Sequence, residues 1–237
     1  MPKNYFKFKQ FIINQENSSM KVGTDGVLLG AWTKTNNAKN ILDIGTGTAL
    51  IALMLAQKSD AEIVAIEIDK NSYLQSLSNI NESRWANRIS AKHISLQNFV
   101  AQTQRKFDLI VCNPPYFENS LKSPISERNI ARHNQNLSTE ELLNGVSKLL
   151  TENGRFCVVF PFIQANNLIM KAQEFELFCN EKLHVKPRYN IETKRVLMEF
   201  SRKKSKINEN FIVIENDKRH DYTLDYKNLT KDYYLKF

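Results

Sequence analysis

The residues best placed to do chemistry are Asn113-Pro114-Pro115-Tyr116, directly after the apolar run Phe107-Asp108-Leu109-Ile110-Val111-Cys112. That run reads as a buried strand, and two prolines cannot extend a sheet, so the chain must leave it at Asn113. Proline locks the loop and removes backbone donors, which leaves the Pro114 carbonyl as a fixed acceptor. With the Asn113 side-chain oxygen it offers two acceptors aimed at one spot. Such a pair suits an amino group on a planar system, adenine N6 or a glutamine amide, with Tyr116 stacking on the plane. Accepting both N–H protons favours pyramidalisation and leaves the nitrogen lone pair to attack in line. The gain is positioning and electrostatics, with little need for a strong base. A Pro-Pro turn that serves structure alone is the competing account, and its place at a strand end, with a glycine turn upstream, weighs against it.

That upstream turn is the second chemical feature. Five of the seven glycines (Gly23, Gly26, Gly30, Gly45 and Gly47) fall within residues 23–47. Glycine costs helix and strand stability, so the cluster predicts backbone that turns sharply or approaches a ligand closely. Asp43-Ile44-Gly45-Thr46-Gly47-Thr48-Ala49 lies between a short strand and a helix, where free N–H groups and missing Cβ atoms let a ligand rest. A dinucleotide fingerprint would want glycine where the chain has Leu50. Asp43, two residues before the first glycine of the turn, instead resembles the acid of S-adenosylmethionine (SAM) methyltransferases, which lies near the cationic methionine end. That resemblance makes a sulfonium methyl the target of the in-line attack at Asn113. Glu67, 22 residues after Gly45, ends the next strand, where a carboxylate accepts both ribose hydroxyls in either family. Asp69 is expected to cap the helix that follows.

The N-terminal third narrows the resemblance. Gln10-Phe11 and Met20-Lys21-Val22-Gly23-Thr24-Asp25-Gly26-Val27-Leu28-Leu29-Gly30-Ala31-Trp32 resemble the bacterial tRNA adenine-N6 methyltransferases that modify adenosine 37 of tRNA1(Val). The likeness runs on through Ala131-Arg132-His133 and Lys194-Arg195-Val196-Leu197 to the C-terminal tyrosines. It implies SAM as cofactor and tRNA as substrate. It implies that Thr24 and Asp25 cover the methionine end of SAM, Asp43, Gly45 and Gly47 its sulfonium side, and Glu67 its ribose. Asn113, Pro114, Pro115 and Tyr116 would hold the target amine. Where the family tends to have an Asp near the adenine of SAM, this chain has Ser95, whose hydroxyl and the Leu96 N–H are the substitutes.

These groups need a scaffold whose strands end together. Ile41–Ile44, Ile63–Ile66, residues 89–95, Phe107–Cys112 and Arg155–Phe160 read as strands. Thr48–Lys58, Lys70–Glu82, a helix opening at Ser138 with Glu141 three residues on, and residues 162–174 read as helices, with Gly154 able to end the third. Tyr5–Ile13 suggests a strand or hairpin, 176–185 and 194–201 two candidate antiparallel edges, and Phe211–Ile214 one strand before a tyrosine-rich tail. Alternation of strands and helices predicts an α/β, Rossmann-like fold with helices on both faces of a mainly parallel sheet. The SAM-methyltransferase resemblance makes that sheet seven-stranded with an antiparallel edge, beside a small N-terminal hairpin. One domain is expected: a cofactor-covering segment at 1–38, a core at 39–206 and a tail at 207–237.

The chain of 237 residues has a net charge of +8. Residues 182–206 carry Lys182, Lys186, Arg188, Lys194, Arg195, Arg202, Lys203, Lys204 and Lys206 against Glu192 and Glu199, a net of +7. Such a cluster is a phosphate-binding footprint, with solvated surface lysines as the competing account. Lys186, Arg188, Lys194, Arg195, Arg202, Lys203 and Lys204 are the candidate tRNA contacts. No apolar run of about 18 residues occurs, so no membrane span is expected. Three cysteines in no paired pattern predict a reducing compartment, the cytoplasm, and no metal site. A monomer is expected. Two other functions share these motifs: a protein-glutamine N5-methyltransferase, and a non-catalytic RNA-binding protein on the same fold.

Overall fold

The computed structural model describes residues 4–16, 18, 20–114 and 137–237. A hairpin of β1 (Tyr5–Lys7) and β2 (Ile12–Asn14) opens it, followed by α1 (Thr24–Trp32). Strands and helices then alternate: β3 (Asn40–Ile44), α2 (Leu50–Gln57), β4 (Glu62–Glu67), α3 (Lys70–Asn81), β5 (Ile89–His93), α4 (Leu96–Gln102) and β6 (Phe107–Cys112). After these come α5 (Thr139–Leu149), β7 (Leu150–Pro161), α6 (Phe162–Gln173), β8 (Phe178–Lys186), β9 (Arg195–Ser201), β10 (Asn208–Val213) and α7 (Leu224–Thr230).

The α/β Rossmann-like class read from the sequence is the class observed. The main sheet has the order β10-β8-β9-β7-β6-β3-β4-β5, one strand more than the seven expected, because β10 adds in parallel to β8. Among its described strands only β9 runs against its neighbours, and it lies between β7 and β8 rather than at the edge. Strands β3, β4 and β6 are buried at almost every position, the pattern of strands covered on both faces. Alternate residues feed opposite layers. Ile41, Leu109 and Val111 join the core of α1 and α2, while Leu42, Ile44, Ile110 and Cys112 join that of α4 and α5.

Two local expectations change. Helix α1 is unannounced in the sequence because it holds two glycines, which weaken helices. Those glycines give room: a Cβ on Gly30 would stand 2.6 Å from Met54 Sδ, and one on Gly26 3.1 Å from Leu50 Cδ2. Packing against α2 therefore overrides propensity, and Lys58 Nζ caps the end by donating to the Gly30 and Ala31 carbonyls at 2.7 and 2.9 Å. Helix α5 has the expected Ser138–Glu141 capping box, but it ends at Leu149 and Gly154 lies inside β7. There the chain makes an excursion between Leu150, opposite Phe107, and Arg155, opposite Leu109. A Cβ at Gly154 would meet Leu150 Cγ at 2.7 Å, so glycine lets the excursion close.

The last residues fold back on the first. Tyr234 stacks on Phe8 at 5.9 Å and meets Phe6 edge-on at 6.0 Å. The Tyr233 hydroxyl donates to the Met54 carbonyl at 3.1 Å, and the Lys9 N–H to the Tyr233 carbonyl at 2.8 Å.

Candidate active site

The carboxyl ends of β3, β4 and β6 meet at one edge of the parallel sheet, where ligands of such sheets bind. Asp43, next to last in β3, is 1% exposed between its sheet neighbours Ala65 and Val111. Its Oδ2 accepts from the Thr46 hydroxyl at 2.6 Å, and its Oδ1 has no hydrogen-bond partner. Burial pushes the carboxyl up to about 7; hydrogen bonds from the Thr46 hydroxyl and the Ala52 N–H oppose that, and the nearby Glu67 carboxylate adds to it. A buried carboxylate oxygen without a donor is costly unless a cation or donor meets it.

The glycine turn differs from expectation in one respect. Its N–H groups are not free: Gly45 and Thr46 donate to the Ile66 carbonyl at 2.9 and 3.1 Å, and Gly47 donates to Glu67 Oε2 at 2.9 Å. Its glycines matter for backbone shape and for space. Gly45 and Gly47 have φ of +68° and +58°, the left-handed region, and a Cβ on either would meet nothing within 4 Å. Glu67, 9% exposed at the end of β4, accepts from Gly47 through one oxygen and from Asp69 N–H (2.9 Å) through the other. Each oxygen keeps a further lone pair. Asp69 caps α3 as expected, accepting from Ser72 N–H at 2.8 Å.

Ser95 sits beside this corner, because the Ile94 N–H donates to the Glu67 carbonyl at 2.9 Å. Its hydroxyl caps α4 by accepting from Asn98 N–H at 3.2 Å. Leu96 opens the helix with a buried side chain, against which a Cβ on Gly145 would stand at 2.6 Å. Ile68 was missed by the sequence reading. It is 50% exposed between Glu67 and Asp69, an apolar surface at a polar corner. An isoleucine just past a strand end, flanked by two acids, was the available signal.

On the β6 side Asn113 is half-buried and Pro114 buried. A Cβ on Gly26 would come within 3.7 Å of Asn113 Nδ2, so the first turn of α1 walls the site. Thr24 is exposed at the start of α1, and Asp25 Oδ2 accepts from Arg195 Nε at 2.8 Å. Burial and the Asp43 and Glu67 carboxylates raise the Cys112 thiol, so it is no nucleophile. Pro115, Tyr116 and Ala131-Arg132-His133 lie outside the described residues.

The basic segment is divided by strand direction. Arg195 pairs with Pro161 and Val185 at the carboxyl end of the sheet, Ser201 with Arg155 and Phe178 at the other. The rise per residue of a strand makes those ends about 20 Å apart. Lys186, Arg188, Lys194 and Arg195 thus share the end with Asn113, whereas Arg202, Lys203 and Lys204 follow the opposite end. Arg188 donates to Glu215 Oε2 through Nε and Nη2 at 3.3 and 3.2 Å, and Arg202 to the Ser147 carbonyl. Lys194, Lys203 and Lys204 are exposed. Among the described residues no group of three or more His, Cys, Asp or Glu side chains is placed to hold a metal ion, and no helix is long and apolar enough to cross a membrane.

Comparison with known proteins supplies the context for this geometry. Residues 18–178 match the methyltransferase small domain family. A Trichodesmium erythraeum protein named tRNA1(Val) (adenine(37)-N6)-methyltransferase is 48% identical over 99% of both chains. Among solved structures, an Agrobacterium tumefaciens protein described as a predicted O-methyltransferase shares the fold with a TM-score of 0.67 at 15% identity, over 88% of this chain and 96% of that one. P. horikoshii TYW2 in complex with MeSAdo does so at 0.58 and 12% identity, over 84% and 71%.

Proposed function

The chain belongs to the methyltransferase small domain family and, within it, to the tRNA1(Val) (adenine(37)-N6)-methyltransferases, and from that premise we propose that it transfers a methyl group from S-adenosylmethionine to N6 of adenine 37 in that tRNA. The observation that carries the reading is the buried Asp43 Oδ1 without a hydrogen-bond partner, two residues before a turn with open space over Gly45 and Gly47 and on the strand paired with the one that delivers Asn113. These residues fit a nucleoside that bears a cation. Asp43 supplies the counter-charge, Glu67 has lone pairs left for two ribose hydroxyls, and Ile68 and the α4 N-terminus offer apolar surface and N–H groups to a purine. SAM supplies the electrophilic methyl group on its sulfonium when bound. The Asn113 carboxamide oxygen and the Pro114 carbonyl accept the two amine protons of the target adenine, which orients its nitrogen toward the cofactor turn. Neither is a base, so the proton released from N6 goes to water. Thr24 and Asp25 close the methionine end, and the Arg195 ion pair fixes Asp25 there.

The glutamine reading, open on the loop alone, is not favoured, because the relatives that match the full chain carry the tRNA name. A tRNA-modifying enzyme works in the cytoplasm, where its substrate is. Incubation with labelled SAM and unmodified tRNA, followed by nucleoside analysis, tests the proposal. N6-methyladenosine is the expected product. Label on protein alone, or no label, refutes it.

A further inference from the structure

Several of this protein's most exposed rings gather at the outer edge of the sheet. Phe162, Tyr189 and Phe211 are 46%, 65% and 64% exposed. His184 of β8 binds two of them into one surface: its ring stacks 4.8 Å from Phe211 at 19° and meets Phe162 edge-on at 5.9 Å. His184 itself is buried and lies 3.2 Å from Glu209 Oε2, so it backs the surface and leaves the outer face of Phe211 open. Lys186 stands two residues beyond His184 on the same face of β8. The Phe162 N–H donates to the Lys194 carbonyl at 3.1 Å, which sets the backbone of the exposed Lys194 against that of Phe162. Tyr189 lies in the β8–β9 connection at the same end of the sheet. Two neighbouring acids are already neutralised, Glu209 by Lys182 at 2.6 Å and Glu215 by Arg188 at 3.2 Å. Glu192 is the remaining exposed acid of that connection.

Register ties this surface to the active site. Cys112, Val158, Met198, Lys182 and Glu209 occupy one rung of the sheet. Phe211, two residues on, therefore stands at the height where Asn113 and Pro114 leave β6. Four strand spacings place it about 19 Å to the side. Single-stranded RNA is recognised by stacking unpaired bases on aromatic side chains while cations meet the phosphates.

We propose that Phe162, Tyr189 and Phe211, with Lys186 and Lys194 on the phosphates, form a stacking platform for unpaired tRNA nucleotides that flank the adenine held at Asn113. The platform rests on the tRNA-methyltransferase reading above. Arg202, Lys203, Lys204 and Lys206 follow the far end of β9 and lie outside its reach.

The test is binding of unmodified tRNA by fluorescence anisotropy, with methyl transfer and SAM affinity measured alongside. Tyr189→Ala/Phe211→Ala raises the tRNA Kd about tenfold or more. SAM affinity and turnover at saturating tRNA stay at the wild-type level, and Phe211→Trp alone keeps wild-type binding. Lys186→Ala/Lys194→Ala lowers the slope of log Kd against log salt by about one or more. The platform is overturned if both aromatic and lysine pairs bind within twofold of wild type, or if the loss appears only in Lys203→Ala/Lys204→Ala. It is also overturned if the wild type is a dimer that Phe211→Ala converts to monomer, since a second copy then occupies the surface. A wild type that methylates no tRNA overturns the underlying activity, and that result is read without any variant.

Discussion

Replacing Asp43 by Asn tests whether the buried carboxylate is kept for a cation. Its pKa is about 7 in the fold, against an ordinary value of 3.8. Between those values the native state binds more protons than the unfolded chain, so stability falls as pH rises through the window. The loss is complete just above pH 7 and is absent below about pH 4. At about 1.4 kcal/mol per unit, the difference is on the order of 4 kcal/mol, an upper figure for a group that water can reach by relaxation. For a chain of this size that is roughly 8–16 °C in Tm. The carboxamide of the Asp43→Asn variant cannot ionise, so that protein lacks this slope; its buried amide adds a constant cost that shifts the whole curve without tilting it. The assay is urea unfolding of cofactor-free wild type and Asp43→Asn at half-unit steps from pH 4 to 8. The gap between them is expected to move by several kcal/mol in favour of the variant as pH rises. At pH 8 the variant is expected to bind SAM more weakly. A gap that stays constant across the range refutes the assignment of a desolvated carboxyl with one oxygen left without a donor.

Asn113→Ala removes one of two acceptors for the target amine, and a 10²–10³-fold loss of turnover is expected with SAM affinity within about twofold of wild type. Single-turnover methyl transfer and calorimetry read the two quantities, and retained turnover contradicts the role of the carboxamide. Ser138→Ala removes the side-chain half of the α5 capping box and is expected to cost about 1 kcal/mol, with turnover unchanged. Thermal unfolding measures it, and no change in Tm would show that Glu141 alone secures that end.

Much of this was legible in the sequence where one physical constraint acts locally. Asn113-Pro114 could be placed because proline stops a strand wherever it stands. Glu67 could be placed because it closes a strongly apolar run, and Asp43 because its short apolar run leads straight into the glycine turn. Three features could not be read, each for a reason of packing. Helix α1 forms despite Gly26 and Gly30 because α2 lies against them, a contact between segments about 24 residues apart. The N–H groups of the glycine turn are engaged by β4, which only the parallel pairing of β3 and β4 brings within reach. The basic run of 182–206 reads as one cluster on paper, and the reversal of β9 carries its two ends to opposite edges. Charge counting records composition but not strand direction.

The contact of Tyr234 with Phe6 and Phe8 has a consequence for synthesis. At about 5–20 residues per second, roughly 10–45 seconds separate the appearance of Phe8 on the ribosome from that of Tyr234. Throughout that interval Phe6 and Phe8 lack the Tyr234 ring, and contacts so distant in sequence are slow to close. The β3–α2–β4 unit that carries Asp43 and Glu67 is built from neighbouring segments and needs no such wait. The nascent chain therefore carries the elements of its cofactor turn, and the α3 face that holds β2 through Asn79, before Tyr234 emerges to cover Phe6 and Phe8.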